Sequence, residues 1–144
     1  MPCLVGRVGT VLSLVVLAAC SDPTEPESLR EAREKWDDLN LSLYEYVGTR
    51  TAFVGSSGPV TVTVHNNQVL SVVDANGAEV STFGWPTIDG LFDQAAQAIA
   101  RDELNQIEFD EGMGYPTLVD TGDWTLDGGV RHTISSVRSI GYTF

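Results

Sequence analysis

Apolar residues recur along this chain in two periods. Leu29, Ala32, Trp36, Leu39 and Leu43 step by 3, 4, 3 and 4, which places them on one face of a helix. That spacing predicts a helix from about Leu29 to about Asn40, with Ser28 as N-cap and Glu31 three residues on as a capping box. Trp36 then belongs to the core stripe. From Tyr44 the period drops to two. Tyr44–Val47 and Thr49–Val54 read as extended chain broken at Gly48, and Gly55–Pro59 as a flexible loop. Val60–Val64 alternates valine with threonine, Asn66-Asn67 suits the positive-φ positions of a type I′ turn, and Val69–Val73 returns. Asp74–Gly84 is a loop with Asn76-Gly77 as a turn signal and a short strand near Val80–Phe83. Thr87 is placed as an N-cap before Ile88, Leu91, Phe92, Ala95 and Ile99, so a second helix runs from about Ile88 to Arg101. Further strands follow at Ile107–Phe109, Tyr115–Asp120 (Pro116 marking an edge or a strand start) and Val130–Ile140, the last bulged between Ile134 and Val137. The order α-β-β-β-α-β-β-β predicts an α+β fold: an antiparallel sheet of about five to six strands with an N-terminal helix and a second helix packed on one face.

The residues before this pattern behave differently. Val8–Leu17 is an apolar run of about ten residues behind a single charge, Arg7. A spanning helix needs roughly 20 apolar residues, so the run fits the h-region of a signal peptide better. It ends on Leu17-Ala18-Ala19-Cys20, which resembles a bacterial lipobox. That resemblance implies diacylation of the Cys20 thiol and cleavage before it. Ser21–Glu27 holds two prolines and three acids and reads as an extended tether, spanning at most about 23–25 Å. Three segments result: a lipoprotein signal peptide over residues 1–19, acylated Cys20 with its tether over 20–27, and one α+β domain over 28–144. Neither cysteine then serves the fold, since Cys3 leaves with the leader and Cys20 carries lipid.

The body also resembles a known group. Trp36 closing the first helix, Tyr44-Glu45-Tyr46, Val60–Val73, Pro86-Thr87-Ile88-Asp89-Gly90-Leu91-Phe92, Ile107–Phe109, Gly114-Tyr115-Pro116 and the Asp-rich stretch before the last strand are together similar to the DUF6174 family of small bacterial envelope proteins. The resemblance spans roughly Glu34 to Val137. It implies a small α+β envelope domain and transfers no activity. Members often carry cysteines after the first tyrosine segment. Here that stretch is Thr51-Ala52-Phe53-Val54, so the resemblance implies no thiol role there.

Charge narrows the partners. The chain has 20 acidic and 8 basic residues. With Arg7 assigned to the leader, the remainder carries 20 acids against 7 bases, a net of −13. This excludes a nucleic-acid-binding face and attraction to anionic headgroups, so membrane attachment rests on the lipid at Cys20.

Candidate chemistry is sparse. Asp120, Asp123 and Asp127 share one loop region and supply the oxygen chemistry calcium takes, but no bidentate acid stands where an EF-hand needs one. His65 and His132 could serve zinc only if folded together beside a carboxylate, and read as a surface and a sheet-face histidine. No Gly-x-Ser-x-Gly elbow occurs. Met113, Tyr115 and Trp124, read as loop aromatics and a neighbouring thioether, form the candidate contact surface. The sequence therefore implies a monomeric, lipid-anchored, non-enzymatic binding or structural module of the cell envelope, with an envelope protein or polymer as partner. A calcium-dependent module and an envelope hydrolase are the alternatives. Ser21 directly after the cysteine, with Asp22 one later, points to the outer membrane in a two-membrane cell.

Overall fold

The computed structural model describes residues 25–141. The leader, Cys20 and Ser21–Thr24 of the tether lie outside the described residues. The chain folds as α1 (Glu27–Asp38), β1 (Leu43–Ala52), β2 (Gly55–His65), β3 (Gln68–Asp74), β4 (Glu79–Val80), α2 (Ile88–Ala100), β5 (Leu104–Phe109), β6 (Pro116–Thr121) and β7 (Val130–Ser139). All strands join one antiparallel sheet in the order β4-β3-β2-β1-β7-β6-β5. The expected α+β architecture is thus present: six full strands, and a two-residue strand on one edge.

Local chemistry explains most of these elements. Asn66 and Asn67 take φ of 48° and 58°, the two positive values a type I′ turn demands, and His65 pairs with Gln68 across them. Asp74 Oδ1 accepts the backbone N–H groups of Asn76 (2.8 Å) and Ala78 (2.9 Å), closing the β3–β4 turn. Thr87 Oγ1 accepts from Gly90 N at 3.0 Å, the expected N-cap of α2. Pro116 opens β6 and costs the ladder nothing there. The bulge in β7 is also present: Val47 pairs with Ser136 and Gly48 with Ile134, so Ser135 is the extra residue.

Three expectations need correction. The capping box does not form: α1 begins at Glu27, one residue inside the expected tether, and its N-cap is Pro26 with no side-chain cap bond. Pro26 O accepts from Leu29 N and Arg30 N, and Glu27 complements the positive helix end. The strand does not break at Gly48; β1 is continuous and absorbs register shifts on both sides of that residue. Gly55–Pro59 is strand, because Phe53 and Val54 make the turn and Ala52 pairs directly with Gly55. Gly58 is needed here (φ 115°), since a Cβ would stand 2.7 Å from Gly48 O.

One face of the sheet carries the core. Tyr44, Tyr46, Val60, Val62, Val64, Val72, Val119 and Ile134 pack with Leu29, Ala32 and Trp36 of α1 and Ile88, Leu91, Phe92 and Ala95 of α2. Trp36 meets Tyr44 edge-on with ring centroids 5.2 Å apart. The pairing sets two ends. At the upper end lie the β1–β2 turn, the β3–β4 turn, the α2–β5 connection and the β6–β7 loop. At the lower end α1 rests on the β5–β6 loop: Lys35 Nζ donates to Glu111 O, and Gly114 fits only as glycine because a Cβ would meet Ala32 O at 2.4 Å.

Between β4 and α2 the chain crosses over the core without a strand partner. Sheet side chains take its place. Tyr46 Oη donates to Pro86 O at 2.6 Å, and Ile88 N donates to Tyr44 Oη at 3.0 Å. Both hydroxyls are buried, and burial pushes both tyrosine pKa values up, so they stay protonated across physiological pH. Tyr44→Phe leaves a buried N–H unpaired and Tyr46→Phe a half-buried carbonyl. Each should lower unfolding free energy by about 1–2 kcal/mol in urea titration, and a loss near zero for both would show that the bonds do not position α2.

Candidate functional site

The upper end gathers exposed apolar side chains and open clefts. Five large apolar side chains are exposed there: Phe53, Val54, Val80, Phe83 and Leu126, with Val54 and Phe83 at least 90% accessible. Two clefts open between its loops. The apolar one, of about 470 Å³, is walled by Pro59, Val60, Val80, Phe83 and Trp85. The polar one, of about 310 Å³, is walled by Arg50, Gly84, Gln94, Gln97, Arg101 and His132, among others. Both volumes fall in the range of small-molecule sites. The segment Phe83-Gly84-Trp85 divides them, with Phe83 and Trp85 toward the apolar cleft and Gly84 toward the polar one.

The polar cleft is built from alternation on β1. Tyr44, Tyr46 and Gly48 face the core, and Arg50 continues that register outward past the last covering side chain. Arg50 pairs with His132 across the β1–β7 ladder. His132 is 4% exposed, and its Nε2 lies 3.3 Å from Gly84 O. A carbonyl only accepts, so this contact requires the Nε2–H tautomer. Burial pushes His132 down from 6.5 to about 4, the nearby Arg50 charge adds to the depression, and the Gly84 carbonyl opposes it. Gly84 has φ of 83°, and a Cβ there would stand 3.3 Å from Arg50 Nε. Glycine therefore lets the loop pass close under the guanidinium.

The residues singled out from sequence do not assemble. Asp120 is buried on the opposite face of the sheet from Val119. Its Oδ1 accepts from Trp124 Nε1 (2.7 Å) and Asn105 Nδ2 (3.1 Å), and its Oδ2 from Arg131 Nε (2.9 Å) and Nη2 (2.5 Å). Burial alone would raise its pKa; these bonds from Trp124, Arg131 and Asn105 more than offset that and hold it below the usual carboxylate range. Four N–H donors fill its acceptor sites, leaving none for a cation. Asp123 Oδ1 closes a turn with Thr125 N and Oγ1, and Asp127 is exposed at φ of 62°. Among the described residues no group of three or more His, Cys, Asp or Glu side chains is placed to hold a metal ion. The three aspartates therefore form a buried polar hub and two loop turns, and the expected calcium ligand set is not brought together.

Met113, Tyr115 and Trp124 are not one surface either. Tyr115 is buried, edge-on to Trp36 at 6.5 Å, and Met113 packs against the same core at the lower end. Trp124 lies at the upper end, half-buried, with Arg131 over its ring at 5.8 Å and Gly129 beneath it. His65, at the lower-end turn of β2, is far along the ladder from His132 beside the upper end. Arg50, Gly84 and Arg101 were not singled out. Arg50 carried a legible signal, since it keeps the inward parity of Tyr44 and Tyr46. Gly84 carried none, because its role depends on a loop crossing from another part of the chain.

A family profile described as a family of unknown function, DUF6174, matches residues 28–139. No curated protein and no solved structure matches the chain.

Two measurements test this geometry. The unfolded state takes up the His132 proton near pH 6.5 and the folded state only near 4, so the contribution is complete above pH 6.5 and is lost as pH falls. The wild type should lose up to about 3 kcal/mol more than His132→Gln between pH 7 and pH 4 in urea titration; equal losses would show that the histidine titrates normally. Asp120→Ala should cost about 1–3 kcal/mol, with Arg131 half-exposed and able to re-solvate. It should also shift to the red a fluorescence component that Trp124→Phe removes. An unshifted component would show that Asp120 does not hold the indole.

Proposed function

Since this chain belongs to the DUF6174 family, matched from residue 28 to residue 139, we propose that it is a lipid-anchored binding module of the cell envelope. The observation that carries this reading is Leu17-Ala18-Ala19-Cys20 at the end of an apolar run, followed within seven residues by the first helix of the folded domain at Glu27. A bacterial-type lipobox has a short h-region and small residues before the cysteine. Several acyl chains, each adding about 0.8 kcal/mol per buried CH₂, anchor a protein stably. Among the described residues no helix is long and apolar enough to cross a membrane, and the surplus of acids opposes headgroup attraction. The anchor is then the lipid alone.

The lower end of the domain joins the tether through α1, so the two clefts stand at the end away from it. A module held this way presents its clefts to the envelope space, toward an envelope protein or polymer. Ser21 after the cysteine favours the outer membrane in a two-membrane cell. Fractionation of cells expressing the full chain, with metabolic labelling by an alkyne fatty acid, tests the reading. The wild type should take label and pellet with membranes. Cys20→Ala should take none, with an unchanged melting curve. A wild type that takes no label, or a Cys20→Ala protein that takes as much, would overturn the anchor.

A further inference from the structure

The described residues include seven lysines and arginines. Arg30, Arg33, Arg131 and Arg138 are engaged in ion pairs with Glu27 and Glu34, Asp93, Asp120 and Glu45, and Lys35 donates to a backbone carbonyl. Among the described residues Arg50 and Arg101 have no ion-pair partner and donate no side-chain hydrogen bond, although the chain holds 20 acids. Both line the polar cleft. A random scatter of seven cations over an acidic surface would leave unpaired ones apart. Here both free guanidiniums converge on one concavity, from strand β1 and from the C-cap of α2.

The rest of the lining fits the same ligand. Gln94 and Gln97 bring two side-chain amides from consecutive turns of α2, and Thr121 adds a hydroxyl. The end of α2 faces the cleft with the negative pole of its dipole, but three of its closing carbonyls are taken: Arg101 N donates to Gln97 O and Ala98 O, Asp102 N to Ile99 O, and Glu103 N to Ala98 O. The one carboxylate in the lining is Glu103. Two guanidiniums against that carboxylate leave a single positive charge, with the buried imidazole neutral at pH 7. One positive charge balances one monoanion. A phosphate dianion would stay half-compensated inside a strongly acidic molecule.

We propose that the cleft between Arg50, Gln97, Arg101 and His132 binds the carboxylate group of a small monocarboxylic acid. Arg50 is the principal contact. Its side chain runs beside Gly84, where a Cβ would stand 3.3 Å from Nε, and its planar fork suits two carboxylate oxygens. Arg101 is exposed and supplies field more than geometry. The proposal rests on the binding reading above and not on the lipid, so it is tested in the full chain carrying Cys20→Ala.

The experiment is a ¹H–¹⁵N NMR titration with propionate, benzoate and inorganic phosphate at constant ionic strength. Propionate and benzoate should shift the amides of Gly84, Gly122 and His132 and the Arg50 Nε–H saturably, at millimolar concentrations or below. Arg50→Gln should weaken this at least tenfold, Arg101→Gln two- to fivefold, and Arg138→Gln, at the lower end, not at all. Shifts that are linear and dispersed over the surface would overturn the proposal, as would phosphate saturating the same amides at lower concentration than the monocarboxylates. An Arg50→Gln protein that binds as the wild type does would also overturn it. If Arg50→Gln does not fold, the wild-type shift map decides alone. Failure here leaves the labelling result for Cys20 untouched, and failure there leaves this map untouched.

Discussion

The structure depends on how a partnerless segment is held. From Gly84 to Ile88 the chain runs over the core with no strand beside it, yet alternate residues are bonded to side chains rising from the sheet: Gly84 to His132, Pro86 to Tyr46, Ile88 to Tyr44. The spacing of two is that of an extended chain, so the contacts act as a ladder made of hydroxyls and an imidazole. They fix where α2 starts and hence which side of Ile88, Leu91 and Phe92 meets the sheet. They also fix Gly84, and with it the wall between the two clefts. One set of buried polar groups thus settles both the core and the concave surface, which is why burying them is tolerable: each has a partner.

What could be read from the sequence was local. The Asn66-Asn67 hairpin, the Thr87 cap, the stripe of α2 and the bulge before Val137 are specified by residues within a few positions of each other. The errors came where distant chain decides. Gly55-Ser56-Ser57-Gly58-Pro59 has loop composition, but β1 beside it supplies a ladder and a close approach that glycine accommodates. Ser28 has N-cap chemistry, but Pro26 already fixes the turn one residue before the helix. Tyr115 has the look of a loop aromatic, but α1 folds onto it.

The acidic loop teaches the same lesson about sites. Asp120, Asp123 and Asp127 are neighbours in sequence, and only pairing of β6 with β7 reveals that Arg131 stands opposite the first of them. A strand alternates its faces, so Asp120 points away from the core and becomes a hub for Arg131, Trp124 and Asn105. In contrast, Arg50 and Arg101 lie fifty-one positions apart and meet only because α2 returns its C-terminus to the end where β1 turns. Charge counted along the chain shows an excess of acids. Charge placed in space shows four of the seven described cations paired with acids, Lys35 bonded to a carbonyl, and Arg50 and Arg101 lining one cleft.

The strand order leaves two free margins, and they differ. The β4 margin is stepped: β4 has two residues and covers only Val72 and Val73, leaving residues 68–71 of β3 unpaired on that side. The β5 margin is six residues long and carries Asn105, Gln106 and Glu108, with Asn105 bonded inward to Asp120 and Gly122 O and Gln106 bonded to Glu108. A second copy pairing antiparallel along the whole margin would set Glu108 against Asn105 and strip water from amides already committed. One margin is thus short and stepped, and the other is longer but lined by amides already committed within the domain.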